Sequence, residues 1–436
     1  MRTLRDVPIR FRILGVLFVM SIVNYLLRNN LSIALPSIRE EFHFTSAELG
    51  WILGSFNLSY ALFQLPGGVY GEVVGPRRAM AWVAISWGVL TFLTGFAPAL
   101  MAASATGAMV SLIVVRFLLG VTNAPLYPVM SAAFERWFPP GSWAFANAFS
   151  SGGIALGQAA LGPLVTFLIV KFGWRESFYA LAPLGILCGV WWYWYGRDQP
   201  EEHPAIKADE LAAINARREP VTSTMQRRGA WRKVALQKDV LLLACGYFCS
   251  NYVFYMFSNW LFTYLVESRG FSLLESGFLY VFPFFTGAIM TTVGGLLCDF
   301  LCRHIGPRWG CAIPAMAAMV LVGIFLLAGI YAANPYMAVA MLSLCFGFIV
   351  FVEGPFWAAA TYAGGPHTGA ATGILNTGGN IAGLLAPVIG LMIDHLGWLP
   401  TLASGSVFAL VGAALWLFIG SQRGPAPRAA EVRAAL

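Results

Sequence analysis

The stretch GGVYGEVVGPRR (67–78) recurs in the second half of the chain as GGLLCDFLCRHIGPR (294–308). Each copy follows a long apolar run and ends in a turn with basic residues. Two further pairs of similar segments follow in the same order, VTNAP (121–125) with FVEGP (351–355) and SSGGIALGQAALGP (150–163) with NTGGNIAGLLAPVIG (376–390). This order indicates that the chain arose by internal duplication.

The composition places both halves in a membrane. The 436-residue chain is 58% hydrophobic and 11% charged, whereas a soluble domain carries roughly 25% charged residues. A membrane-spanning helix needs about 20 apolar residues, and spanning segments are helical because their backbone polar groups must be paired within the segment. The sequence therefore predicts an all-α, polytopic membrane protein with twelve transmembrane helices, at 11–37, 47–71, 79–98, 106–129, 142–169, 174–195, 240–265, 275–298, 310–331, 335–361, 369–393 and 398–420.

One long polar stretch, 197–238, separates the first six spans from the last six. We therefore expect two pseudo-symmetric six-helix bundles, 1–196 and 239–421, joined by this loop and followed by a tail at 422–436. An internally duplicated twelve-helix chain is typical of secondary transporters, whose substrate sites lie near the bilayer midplane.

The basic residues predict the orientation. Most of the 27 Lys and Arg lie on the side that holds both termini and the central loop, whereas the opposite side holds Arg39, Lys171, Arg175 and Arg269. The positive-inside rule places both termini in the cytoplasm, in a cell membrane that we take to be a bacterial inner membrane. This topology accounts for the net charge of +7, so it gives no reason to expect a nucleic-acid partner.

Arg28 and Arg116 lie deep inside predicted spans 1 and 4. A central Arg costs about 2.5–3.5 kcal/mol on insertion scales, so such residues face a polar cavity. A purely structural role, with bonds to backbone carbonyls, is one interpretation. Two arginines in one half, with no acid at similar depth in the same spans, favour an anionic ligand. A guanidinium also donates two parallel hydrogen bonds to a carboxylate.

Helical spacing adds polar and aromatic candidates to this site. Tyr25 lies three residues before Arg28 and therefore shares its helix face. In the second half, Asn376 and Asn380 share a face of span 11, and Trp357 on span 10 is a candidate cavity wall. Packing between helices is the alternative for the aromatic side chains.

The repeated loop resembles the signature of the major facilitator superfamily. NYLLRNNLSIALPSI (24–38), RFLLGVTNAPLYPVMSAAFERWFPP (116–140), RDQPEEHP (197–204) and NTGGN (376–380) resemble, more narrowly, the anion:cation symporter family of organic-anion transporters. The likeness covers about residues 10–420. It implies that Arg28 and Arg116 bind the carboxylate of a transported anion, and that Tyr25 and Tyr60 contact its polar groups.

Two positions depart from the proton-coupled members of that family. An acid usually precedes the arginine of span 1, and another follows the arginine of span 4 by seven residues; here these positions hold Leu27 and Asn123. Glu353 on span 10 occupies the place that matches Asn123 in the repeat. We treat Glu353 as the candidate proton-coupling residue, with hydrogen bonding at the helix bend of Gly354–Pro355 as the alternative.

The repeated loops suggest a gate. Glu72 and Arg78 in the first copy, and Asp299 and Arg303 in the second, place carboxylates beside basic groups at helix ends. Such contacts can break and re-form as a transporter alternates between its two openings. A topology signal with solvated ion pairs is the alternative.

We expect a secondary active transporter of a small organic anion, a sugar acid such as a hexuronate or aldonate, working by alternating access as a monomer. A facilitator or anion exchanger, or a non-transporting anion sensor, is the alternative. No cofactor, metal site or enzymatic activity is expected. The pairs Cys245/Cys249 and Cys298/Cys302 are interpreted as small core residues, because no His or further Cys in the sequence completes a metal-ligand set.

Overall fold

The computed structural model describes residues 7–100, 104–139, 142–215, 236–364 and 368–420. Across these ranges the regular structure is helical and no strand occurs. Most of the predicted central loop, 216–235, and the predicted tail lie outside the described residues. The all-α class predicted from the sequence is confirmed.

The helices are numbered here in chain order. The first half contains α1 (Ile9–Phe42), α2 (Ser46–Val74), α3 (Pro76–Leu100), α4 (Ala105–Asn123), α5 (Leu126–Trp137), α6 (Trp143–Phe172), α7 (Trp174–Tyr195) and the short α8 (Ala208–Asn215). The second half contains α9 (Lys238–Glu267), α10 (Leu273–Leu279), α11 (Val281–Ile305), α12 (Pro307–Tyr331), α13 (Pro335–Phe351), α14 (Glu353–Gly364), α15 (Thr368–Ala382), α16 (Ala386–Leu396) and α17 (Trp398–Leu415).

Ten helical segments in the described ranges are long and apolar enough to cross a membrane. Two further helices, α2 and α7, are 29 and 22 residues long, which exceeds the length that a bilayer requires. These helices are consistent with the twelve predicted spans. The chain is therefore a multi-pass membrane protein.

The helices form two compact units. One unit comprises 1–221, 258–281 and 386–395, and the other comprises 222–257, 282–385 and 396–436. In the first unit, α3 packs along α7, α1 along α6, and α2 along α4. In the second, α12 packs against α13 and α17, and α14 against α15. The predicted domain boundaries remain a prediction.

Predicted spans 4 and 10 are each divided at the matching segments VTNAP and FVEGP. Span 4 breaks between α4 and α5, at Ala124 and Pro125, and span 10 breaks at Val352, between α13 and α14. Proline removes a backbone donor and is tolerated in the first turn of a new helix. Both breaks therefore fall at segments, VTNAP and FVEGP, that match each other in the internal repeat.

Part of the central segment is tied to the start of α1. The carboxylate of Glu210 on α8 accepts hydrogen bonds from the backbone N–H groups of Ile9 and Arg10, at 3.0 and 2.9 Å. These donors have no partner within α1 because they belong to its first turn. An acid at this position also complements the positive end of the helix dipole.

Candidate functional site

The position of α1 is set by close packing on both sides of Arg28. An added Cβ at Gly157 of α6 would lie 2.7 Å from the Ile22 carbonyl oxygen and 3.2 Å from Cβ of Tyr25. An added Cβ at Gly185 of α7 would lie 2.9 Å from the Leu27 side chain. Leu27 is 1% exposed. Leu27 occupies the position at which an acid is expected in proton-coupled members of the family. Here its side chain packs between helices.

Helix α4 crosses α2 at Gly120. A Cβ there would collide with the Phe56 carbonyl oxygen and with Oγ of Ser59. The backbones approach closely because glycine has no side chain. Arg116 lies one helical turn before Gly120, so the crossing brings its guanidinium to the ring of Phe56.

The two predicted arginines share one aromatic surface. The guanidinium carbon of Arg28 lies 5.5 Å from the ring centroid of Tyr25, 4.8 Å from that of Phe56 and 4.7 Å from that of Tyr60. The guanidinium carbon of Arg116 lies 5.8 Å from the same Phe56 centroid. Cations within about 6 Å of a ring centroid are attracted by the ring quadrupole. The structure thus brings Arg28, Arg116, Tyr25 and Tyr60 together and adds Phe56.

Arg116 is almost fully buried, with 2% of its surface exposed. Its Nη2 donates to the backbone carbonyl oxygen of Arg28 at 3.1 Å. Its Nε and Nη1 have no hydrogen-bond partner among the described residues. The structural interpretation of this arginine therefore accounts for one of its nitrogens and leaves two buried donor nitrogens without a partner in the part of the chain that the structure describes.

Buried amides lie on the same helices as the two arginines. Nδ2 of Asn24, both amide atoms of Asn30 and Oδ1 of Asn123 lack hydrogen-bond partners within the described residues. The Tyr127 hydroxyl donates to Oδ1 of Asn24 at 3.4 Å. Buried polar groups are costly unless they are paired. The first unit therefore holds several buried polar atoms whose hydrogen-bonding capacity is unfilled among the described residues.

Glu353 belongs to a separate cluster, in the second unit. Its Oε2 accepts hydrogen bonds from the Tyr247 hydroxyl at 2.7 Å and from Nε1 of Trp357 at 3.0 Å. Asn251 donates to the Tyr247 carbonyl at 2.9 Å. Glu353 is the first residue of α14, so the positive end of that helix also stabilises a carboxylate. Its partners are side chains from α9 and α14.

The predicted asparagines lie on α15 in the same unit. Oδ1 of Asn380 accepts a hydrogen bond from the Tyr255 hydroxyl at 2.9 Å, and Asn376 is half-buried. Gly379 permits the approach of α9, since a Cβ there would lie 2.6 Å from the Tyr247 ring. Trp357 is 38% exposed. Substrate contact by Asn376, Asn380 and Trp357 remains a prediction.

The charged residues that the structure describes in the two repeated loops, 67–78 and 294–308, are largely exposed. Arg78, Asp299 and Arg303 are exposed, and no salt bridge joins them within the described part of the chain. The side chain of Glu72 lies outside what the structure describes. A gating role for these four residues remains a prediction.

Arg77, the neighbour of Arg78, is tied to the end of α7. Its backbone N–H donates to the Asp198 carboxylate at 2.8 Å, and its Nε donates to the Tyr193 carbonyl at 2.9 Å. The segment RDQPEEHP thereby fixes the start of α3.

Sequence reasoning missed a polar network in the first unit, between the end of α1 and the start of α2. Arg39 pairs with Glu267 at 2.6 Å, and the Asp394 carboxylate accepts from the backbone N–H groups of Ser46 and Ala47 at 2.9 and 2.8 Å. Asp394 therefore caps α2. These partners are more than 200 residues apart in sequence, so no local pattern indicates them.

The all-helical, multi-pass chain carries two neighbouring arginines within predicted membrane spans, an arrangement typical of membrane transporters. The sequence profile of the Major Facilitator Superfamily matches residues 17–387, and the chain belongs to this superfamily. A crystal structure described as a bacterial homolog of the human lysosomal transporter Spinster, inward-facing and occupied, superimposes with a TM-score of 0.75 at 17% identity, covering 95% of this chain and 97% of that one. That likeness supports the fold alone.

Curated relatives align over nearly the whole chain. A "Probable sulfoacetate transporter" of Cupriavidus necator is 32% identical over 98% of both chains. The "Hexuronate transporter" of Bacillus subtilis is 28% identical over 87% of both. A "D-galactonate transporter" of Escherichia coli is 26% identical over 94% of this chain and 95% of that one. The predicted resemblance to organic-anion transporters is confirmed, and the protein is a transporter and not an enzyme.

Proposed function

We propose that the protein is a secondary transporter of a small organic anion, and that Arg28 and Arg116 bind the anionic group. The observation that carries the proposal is the burial of Arg116 with two donor nitrogens that have no partner among the described residues. A buried donor left unpaired costs about 1–3 kcal/mol, and more for a charged group. A bound carboxylate or sulfonate supplies both the missing acceptors and the missing charge.

The aromatic surface prepares the site for binding. Phe56 lies under both guanidinium groups, and Tyr25 and Tyr60 flank Arg28. Rings that hold the cations in place reduce the conformational entropy lost when the anion binds. The tyrosine hydroxyls and the amides of Asn24 and Asn123, which share the helix faces of Arg28 and Arg116, are suited to the polar groups of the same ligand.

The substrate class follows from the charge and from the relatives. Sugar acids such as a hexuronate or aldonate combine one carboxylate with several hydroxyl groups, which suits the tyrosines and amides. Sulfoacetate carries two acidic groups on a short chain, which suits two adjacent guanidinium groups. The relatives named for hexuronate, galactonate and sulfoacetate support an organic anion, and uptake measurements select between the two kinds.

Proton coupling is assigned to Glu353. Leu27 and Asn123 cannot titrate in the range of physiological pH, so the first unit lacks the usual acids. Importing one negative charge against the membrane potential costs about 2.3 kcal/mol per 100 mV, which a co-transported proton offsets. The two hydrogen bonds to Glu353 both fall on Oε2, which supports Oε1 as the atom that takes the proton. A facilitator or exchanger would not need this step.

Transport is tested with purified protein in liposomes. A thermal-shift screen of glucuronate, galactonate, sulfoacetate and benzoate identifies the ligand, and radiolabelled uptake then measures turnover. We expect one organic acid both to raise the melting temperature and to accumulate inside the vesicles. Ligand binding without uptake would instead identify an anion sensor, and no response to any organic acid would contradict the proposal.

Coupling is tested with Glu353→Gln, with the pH gradient and the membrane potential clamped separately. We expect an inward proton gradient to drive accumulation by the wild type and to lose its effect in the variant, because glutamine cannot carry the proton. The exposed acid Glu135, changed to Gln, is the matched control and should behave as the wild type. Gradient dependence that persists in Glu353→Gln would remove Glu353 from the mechanism.

A further inference from the structure

The second copy of the loop signature contains two cysteines, and the structure brings a third to them. Cys298 and Cys302 lie one turn apart on α11, and Cys311 lies on the following helix, α12. The two helices touch at Gly310, where an added Cβ would lie 2.8 Å from Sγ of Cys302. From the sequence, Cys298 and Cys302 are interpreted as small core residues, with no further Cys found to complete a metal-ligand set. The structure places Cys311 beside them, because the packing of α12 on α11 brings the three side chains together.

The three sulfur atoms form a compact triangle. Sγ of Cys311 lies 3.5 Å from Sγ of Cys302 and 3.6 Å from that of Cys298, and the remaining side of the triangle is 3.9 Å. Three thiolates that bind one zinc ion at 2.3 Å with tetrahedral angles lie about 3.8 Å apart. The sulfur atoms therefore already have the spacing of a three-thiolate metal site.

We propose that Cys298, Cys302 and Cys311 bind a soft divalent metal ion of the zinc group, which bridges α11 and α12. Thiolates select such ions over hard cations like Mg²⁺ and Ca²⁺. Three protein donors leave the fourth coordination position to water. This site is distinct from the anion site, which lies in the first unit.

Access and chemistry are compatible with reversible binding. Cys298 and Cys311 are buried, whereas Cys302 is half-buried, so the ion enters beside Cys302. Each thiol loses its proton to solvent when its sulfur–metal bond forms, so three protons leave for each ion bound by three thiols. The ligands come from both helices, and the bound ion therefore restrains the turn at Gly306, between Arg303 on α11 and Arg308 on α12.

The site is tested on the full-length protein, purified in detergent under a reductant and stripped of metal with a chelator. Titration with Cd²⁺ is followed by the ultraviolet charge-transfer absorption of cadmium thiolate, and Zn²⁺ is added as a competitor. We expect one ion per chain and displacement of Cd²⁺ by Zn²⁺. Cys311→Ser should weaken binding by about tenfold or more, since even the loss of an outer partner costs 10–100-fold.

Cys302→Ser provides a second variant, since this half-buried position tolerates the change with the least repacking, and it should weaken binding as much as Cys311→Ser. Cys245→Ser is the control because Cys245 is exposed on α9, outside the triangle, and it should bind as the wild type does. The proposal is overturned if the wild type shows no charge-transfer band. It is equally overturned if all four proteins bind Cd²⁺ with the same affinity.

Discussion

Phe56 lies at the centre of the proposed anion site although it carries no charge. Its ring is the one aromatic surface within the described residues that lies near both guanidinium groups, at 4.8 and 5.8 Å. Two cations near one another repel, and the ring quadrupole attracts both. Phe56 therefore holds the two arginines in place before the ligand arrives.

Replacement of Phe56 by Leu should weaken substrate binding without abolishing it. Leucine keeps an apolar side chain at this position but removes the ring, and each cation–π contact contributes about 0.5–2 kcal/mol. We expect a loss of affinity of roughly 2- to 30-fold by calorimetry, as 1.4 kcal/mol corresponds to a factor of ten. Phe92→Leu, at an exposed position on α3, is the control. Equal affinity in both variants would remove Phe56 from the site.

In the proposed site, the two arginines and Tyr25 were predicted from the sequence pattern and Tyr60 from the family resemblance, whereas Phe56 was not predicted. A charged residue inside an apolar helix is costly and therefore indicates a polar site, and Tyr25 shares the helix face of Arg28. Phe56 is one of 33 phenylalanines, and no helical pattern separates a ring beneath a cation from a ring in the core. The same limit applies to Tyr247, whose bond to Glu353 joins helices more than 100 residues apart.

Among the helices, the contact between α2 and α4 positions the residues of the proposed anion site. These helices meet at Gly120, whose missing side chain leaves room for the Phe56 carbonyl and for Ser59. The position of the Arg116 guanidinium depends on the distance between α2 and α4, because Arg116 lies one turn from Gly120 on α4. The sequence alone predicted both spans, but not which glycine marks their crossing.

Gly120→Ala should therefore impair both stability and binding. The added methyl group must push α4 away from α2, and overpacking of this kind typically costs about 1–3 kcal/mol. We expect a lower melting temperature and weaker ligand binding in detergent. Gly15→Ala on α1 is the matched control, because a Cβ added there has nothing within 4 Å of it. A Gly120→Ala protein that melts and binds like Gly15→Ala would contradict the proposed crossing.

On the scale of the whole molecule, duplication makes much of the architecture readable. The repeated segments and the apolar runs were visible in the sequence, and the superfamily match confirms the fold that they predicted. The helix break at VTNAP was not predicted, because span 4 was expected to run through it without interruption. Long-range polar contacts such as Asp394 with the start of α2 were not visible. Their partners are brought together by tertiary packing, which leaves no periodic signal.

The orientation is a further prediction at this scale. Because the basic residues concentrate on the side that holds both ends of the chain, a fluorescent protein fused after Leu436 should fold and fluoresce in the bacterial cytoplasm. Alkaline phosphatase inserted beside Arg269 should be active, as that loop faces the opposite side. Phosphatase activity from a fusion at Leu436 would reverse the topology.

The central claim is that the paired arginines bind the transported anion through their planar guanidinium groups. The most direct test measures ligand affinity and vesicle uptake in Arg28→Lys and Arg116→Lys. Lysine retains the charge but loses the bidentate geometry. Hydrogen bonds to charged groups contribute about 1.5–3 kcal/mol, so each variant should lose roughly 10- to 100-fold in affinity. Arg12→Lys, on the same helix as Arg28, should transport normally. Near-normal affinity and uptake in both arginine variants would contradict the account.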